Sequence, residues 1–190
     1  MRKLGALLAA GLVWASLPAV NAADDTPKVE VGKPAPPIDL PAANVGKALP
    51  GKADAKRLSL KDFQGANGKN VVLYFFPKAM TPGCTRQSCG FRDLSKEFAR
   101  YDTVVVGIST DTLADQDKFT EKEGLNFPLL ADADKKVARE YGVLGDRGFA
   151  KRATFVIDKQ GIVRKIYPSA NADKNPREVL DYVKNNLEKK

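Results

Sequence analysis

Cys84 and Cys89 are the chain's only two thiols, and they lie five residues apart in Thr81-Pro-Gly-Cys-Thr-Arg-Gln-Ser-Cys89. Pro82 and Gly83 make a turn and a helical pattern follows, which puts Cys84 in the first turn of a helix. Unpaired backbone N–H groups and the positive end of the helix dipole favour a thiolate there. The thiolate is the nucleophilic form, so thiol redox or displacement chemistry is what this position offers. By residue type alone a buried structural cysteine is the commoner case, but the Pro-Gly turn and the helix start argue against burial here. The 190 residues contain no histidine. That removes Cys–His hydrolases, histidine metal sites and the usual general base. Two cysteines cannot by themselves hold a structural zinc or an iron–sulfur cluster. Gly46 to Lys52 has the spacing of a phosphate loop, yet Ala53 stands where a magnesium-binding Ser or Thr belongs and no buried strand precedes it. The dinucleotide fingerprint is absent. Neither cofactor nor metal is expected.

The elements that must position this pair follow from apolar periodicity. Val71 to Phe76 is an unbroken apolar run, as in a strand buried on both faces, and Pro77 ends it. Phe91, Leu94, Phe98 and Tyr101 share one face of the helix after Cys84. Thr103 to Ile108 is a second buried strand. Ser109 to Thr112 caps a helix that Gly124 stops. Phe127 to Leu130 returns to the core, and Asp132 or Asp134 opens a short helix carrying Val137, Ala138 and Tyr141. A glycine-bearing loop, 142–149, leads to two strands, Arg152 to Ile157 and Ile162 to Tyr167, joined as a hairpin across Asp158 to Gly161. Asn175 reads as the cap of a final helix with Pro176 at its first position and Glu178 behind, and Val179, Leu180, Val183 and Leu187 face inward. Upstream, Ile38 and Leu40 suggest a short edge strand and Ala42 to Lys56 a surface loop. A βαβα half followed by a hairpin and a helix implies an α/β sandwich on a mixed sheet.

Met1 to Gly5 is a short positive segment, Ala6 to Ala15 an apolar core too short to span a bilayer, and Val20-Asn-Ala22 a small-residue cleavage site. Residues 1–22 therefore read as a cleavable signal peptide, with export to the periplasm. Residues 23–30 read as a flexible tail and 31–190 as one domain. Beyond Ala22 the chain keeps 29 basic and 23 acidic residues, a net charge of +6. The signs alternate, as in Asp132, Asp134, Lys135, Lys136, Arg139, Glu140, and no basic run is interleaved with aromatics. A solvated surface is expected rather than a nucleic-acid footprint, with no stable membrane insertion. A structural disulfide between Cys84 and Cys89 would close too small a loop to constrain the unfolded chain much; a redox pair is the stronger reading.

Pro77-x-x-x-Thr81-x-x-Cys84 resembles the active-site motif of peroxiredoxins. The longer Phe-Phe-Pro77-Lys … Thr-Pro-Gly-Cys84-Thr … Cys89-Gly-Phe-Arg-Asp93 is similar to the peroxiredoxin Q, or bacterioferritin-comigratory-protein, branch, and the resemblance runs from about Val31 to Leu187. It implies a thioredoxin-like fold, a central mixed sheet flanked by helices on both faces. It implies Cys84 as the peroxidatic cysteine, Cys89 as the resolving one, Arg152 as the arginine holding thiolate and peroxide oxygen, and Pro77 as a shield against water. Thr81, three residues before Cys84, supplies a hydroxyl. The implied reaction reduces hydrogen peroxide or an organic hydroperoxide through a Cys84 sulfenic acid and then a Cys84–Cys89 disulfide, recycled by a thioredoxin-like reductant, in a monomer. Gln87 and Ala79-Met80 stand where acidic residues are usual in the family. Two other classes stay open: an exported thiol-disulfide oxidoreductase, although Cys-x-x-Cys is absent, and a non-enzymatic binding module of the same fold.

The helix itself adds an expectation. Residues five apart on an intact helix have Cα atoms roughly 8.7 Å apart, whereas a disulfide needs about 4.4–6.8 Å. The reduced form should therefore be helical through both cysteines, and bonding them must unwind it.

Overall fold

The computed structural model describes residues 29–65 and 68–187; the expected signal peptide and most of the expected tail lie outside them. The order is β1 (Asp39–Ala43), β2 (Arg57–Ser59), β3 (Asn70–Phe75), α1 (Pro82–Ala99), β4 (Thr103–Ser109), α2 (Leu113–Glu123), β5 (Leu129–Ala131), α3 (Lys136–Glu140), β6 (Ala153–Ile157), β7 (Val163–Tyr167) and α4 (Asn175–Asn186). The strands form one sheet in the order β2-β1-β5-β4-β3-β6-β7. β3, β4 and β5 are parallel neighbours, linked by helical crossovers, and the other pairings are antiparallel.

Every residue of β3 is buried, because β4 and β6 flank it and both sheet faces are covered. Val71, Leu73 and Phe75 point into one core with Phe63, Leu130, Val137, Tyr141 and Phe155. Val72, Tyr74 and Phe76 point into the other, against Phe91 and Phe98 of α1, Phe119 of α2, and Val179, Leu180 and Val183 of α4. Helices thus cover both faces, and the arrangement is the thioredoxin-like one. The helix after β3 begins at Pro82, inside the stretch read as a turn, and still holds Cys84 in its first turn. Glycine at 107 in β4 is required by packing: a Cβ there would lie 2.6 Å from Leu129 Cδ2 and 2.8 Å from the Tyr74 ring. That clearance seats Tyr74 under α1.

Three expectations change. The Ile38–Leu40 strand is no edge: β1 lies between β2 and β5, and β2 is the edge. Pro41 is accommodated because the ladder to β2 alternates: Ala42 N–H donates to Lys56 O at 3.0 Å, the Pro41 nitrogen points away from β2, and β5 pairs only from Ala42. The segment 42–56 is not a plain surface loop either. Ala42 and Ala43 pair with β5, and Val45 and Ala48, in and beside a 3-10 turn, are buried in the core. Finally, Asn175 does not cap α4. It is the first residue of the helix and fully buried, while Asn171 Oδ1 accepts the N–H groups of Asp173 and Lys174 instead.

Candidate active site

α1 opens on Thr81, extended at φ −83° and ψ 149°, with Pro82 in its first turn. Proline suits that place because its missing N–H would be unpaired anyway. Cys84 follows two residues later, with its Sγ near the positive end of the helix. It is 1% exposed, which corrects the expectation that the turn would leave it open. The reason is orientation: Cys84 faces the sheet and shares the core of Phe76, Ala79, Phe91 and Phe119. A site this closed excludes bulk water and suits a small reactant. Thr81 donates its hydroxyl to the Lys78 carbonyl at 3.0 Å, which tightens the turn before the helix. Pro77 lies half-buried just past β3.

Arg152 immediately precedes β6, the antiparallel neighbour of β3, so the sheet brings it to the end of the strand where Cys84 sits. Its Nη2 donates to Cys84 Sγ at 3.3 Å and its Nη1 to Gln87 Oε1 at 2.5 Å. Gln87 is fully buried one helical turn beyond Cys84, and its Nε2 donates to Asn175 Oδ1 at 3.0 Å. Thr154 Oγ1 donates to the same oxygen at 2.7 Å. A rigid, always-charged fork beside a sulfur near a helix N-terminus can stabilise negative charge on sulfur and on an oxygen next to it.

Cys89 lies on the same unbroken helix, and both cysteines are free. The expectation of intact helix across the pair therefore holds in the reduced state. Cys89 is half-buried, with Sγ 3.9 Å from Glu123 Oε2. Burial pushes its thiol up, Glu123 and Asp93 add to the rise, and Arg92 opposes it. The structure thus brings Cys84 and Arg152 together, sets Thr81 and Pro77 at the rim, and keeps Cys89 apart.

Several members of the site were not singled out in the sequence. Asp111 Oδ2 accepts the Ala79 N–H at 2.8 Å and the Ser109 hydroxyl at 2.6 Å, which pins the loop before Cys84 to the end of β4. Its only signal was a place in a capping segment. Tyr74 and Ser88 share a buried hydrogen bond of 2.8 Å, and Tyr74 lies 4.8 Å from the Phe91 ring; together they tie α1 to β3. At the rim, Met80 takes a left-handed backbone, φ 61°, a strained choice for a side chain of its kind. Lys78 Nζ lies over the Phe149 ring at 5.8 Å.

A thioredoxin-like sheet with a buried thiol at a helix start, held by an arginine, defines a thiol-dependent redox protein. The AhpC/TSA family model matches residues 31–166. The chain is 36% identical over 169 residues to peroxiredoxin Bcp of Bacillus subtilis strain 168, covering 85% of this chain and 99% of that one. Against peroxiredoxin Bcp of Escherichia coli K12 the identity is 39% over 138 residues, 69% and 86% of the two chains. Peroxidoxin BcpB of Mycobacterium tuberculosis superposes with a TM-score of 0.71 at 34% identity, over 84% of this chain and 99% of that structure. The chain belongs to the AhpC/TSA family, in its Bcp or peroxiredoxin Q branch, and is a peroxidase.

Proposed function

We propose that the chain reduces hydroperoxides at Cys84. The Cys84 thiolate attacks the terminal peroxide oxygen, the O–O bond breaks, and the departing oxygen takes a proton to leave as water or an alcohol. Sulfur is oxidised to the sulfenic acid. The Cys89 thiol then attacks that sulfur, a Cys84–Cys89 disulfide forms and water departs. A thioredoxin-like dithiol reduces the disulfide and is itself oxidised. The observation that carries this reading is the Arg152 Nη2 contact of 3.3 Å to Cys84 Sγ, a fixed donor where negative charge passes from sulfur to oxygen. Family membership supports the substrate class and the type of reductant. The chain acts as a monomer on this reading, and residues 1–22 direct it to the periplasm.

Peroxide consumption by the purified protein tests the reading, with dithiothreitol and then a thioredoxin system as electron source, beside insulin reduction. Consumption of hydrogen peroxide and of an organic hydroperoxide with both sources is expected. Insulin reduction without peroxide consumption would instead favour a disulfide carrier.

A further inference from the structure

Gln87 Nε2, Asn175 Oδ1 and Thr154 Oγ1 form a buried polar relay behind Arg152, and its hydrogen-bond directions are forced. Arginine only donates, so the oxygen of Gln87 must face Arg152 Nη1. The Gln87 amide nitrogen then points at Asn175 and needs an acceptor, which fixes Asn175 with Oδ1 inward. That oxygen also accepts from Thr154. Reversing the Asn175 amide would set its Nδ2 against the Gln87 Nε2, donor against donor. In the orientation observed, Asn175 Nδ2 is buried without a hydrogen-bond partner. Buried orphan donors are rare in folded proteins and call for an explanation. Here the orphan follows from holding Gln87, and through it Arg152, in one pose.

We propose that Gln87 and Asn175 are positioning residues for the reaction at Cys84: α4 holds the Arg152 fork through a neutral amide relay. This rests on Cys84 and Arg152 acting as described above. Neutrality matters because no carboxylate pairs with Arg152 among the described residues. Its charge is directed at sulfur rather than shared with a neighbouring acid. Asn175 hydrogen-bonds to neither the sulfur nor the guanidinium and acts through Gln87.

The test is the single-turnover rate of reduced protein with hydrogen peroxide, followed across pH by stopped flow. Arg152→Met and Cys84→Ser serve as references. Asn175→Ala should slow the reaction about tenfold and move its pH profile toward that of Arg152→Met. Asn175→Asp restores an acceptor oxygen but sets a negative charge behind the fork, so the rate should stay below wild type and the pH profile should move to higher pH. Gln87→Ala should slow the reaction similarly, and the double variant Gln87→Ala with Asn175→Ala should be no slower than Gln87→Ala alone, because one relay has been cut twice. If Asn175→Ala fails to fold, Gln87→Ala and Gln87→Leu carry the same expectation. Near-normal rates and pH profiles in folded Asn175→Ala or Gln87→Ala, with Arg152→Met slow, would overturn the relay while leaving Arg152 in its role. A normal rate in Arg152→Met, or turnover by Cys84→Ser, would instead overturn the reading beneath it.

Discussion

Cys84 is held from three directions: Arg152 at the sulfur, the helix N-terminus behind it, and Asp111 on the loop that precedes it. Asp111 acts on geometry, since its carboxylate fixes the Ala79 N–H and hence the path of residues 77–81. Asp111→Ala should slow peroxide oxidation by roughly 10- to 100-fold, the scale expected when a reacting group is displaced by about 1 Å, with circular dichroism unchanged. An unaltered single-turnover rate would show that the loop needs no such tether. A second carboxylate sets a pH response away from the thiols. Asp132 is buried and its oxygens accept the N–H groups of Val137 and Ala138 at 3.1 and 2.7 Å. Burial pushes its carboxyl up to about 6, against the pull of those two donors. The folded chain therefore holds this proton more tightly than the unfolded chain, where the group titrates near ~3.9. The contribution of Asp132 to stability is largest below that lower value and is lost as pH rises through about 6. Urea unfolding of wild type and Asp132→Asn checks the sign. The wild-type advantage should shrink by on the order of 1–3 kcal/mol between the two titration points, and a pH-independent difference would contradict it.

At the scale of elements, the proposed mechanism requires α1 to be stable enough to present Cys84 and labile enough to let Cys89 reach it. Its early turns are well anchored. Gln87, Ser88 and Phe91 are fully buried, Arg86 pairs with Asp173 at 2.6 Å, and a Cβ on Gly90 would come within 2.9 Å of the Pro176 ring. Forming the disulfide breaks several helical hydrogen bonds, and releasing Phe91 would forfeit about 1.5–3 kcal/mol of burial. Opening from the helix N-terminus is the shortest route, because it frees Cys84 by undoing the fewest turns, at the cost of these anchors. Hydrogen exchange of reduced and oxidised protein should show amides of 85–92 losing protection on oxidation, while Val71 to Phe75 stay protected. Unchanged protection of 85–92 in protein proven to carry the Cys84–Cys89 bond would refute the unwinding. The sequence made α1 and β3 legible because apolar periodicity and the Pro-Gly turn are local signals. Asn175 shows where locality ends: an asparagine before a proline reads as a cap, and only tertiary packing reveals that it faces Gln87 instead. Cys84 shows the same limit, since a turn residue looks open until the sheet and Phe119 close over it.

Over the whole molecule, one sheet assembles the site from distant parts of the chain. Cys84 follows β3, Asp111 follows β4, Arg152 precedes β6 and Asn175 begins α4. The order of strands and helices could be read from the sequence. The interior place of β1 could not, because Pro41 within it and Pro36 and Pro37 before it imitate an edge. The proposed export concerns the whole chain and has its own measurement: intact mass of protein recovered from the periplasm. A mass beginning at Ala23 is expected, and one that retains Met1 to Ala22 would rule out cleavage there.

The claim on which the rest depends is that the first chemical event falls on Cys84. Fully reduced wild type, Cys84→Ser and Cys89→Ser should each be given one equivalent of hydrogen peroxide, quenched, digested and mapped by mass spectrometry. Wild type should yield a single product, the Cys84–Cys89 disulfide. Cys89→Ser should carry one added oxygen on Cys84, trapped as the sulfenic acid by a dimedone probe, and Cys84→Ser should leave the peroxide unconsumed. Rapid peroxide consumption by Cys84→Ser, or a first oxygen found on Cys89, would contradict the assignment.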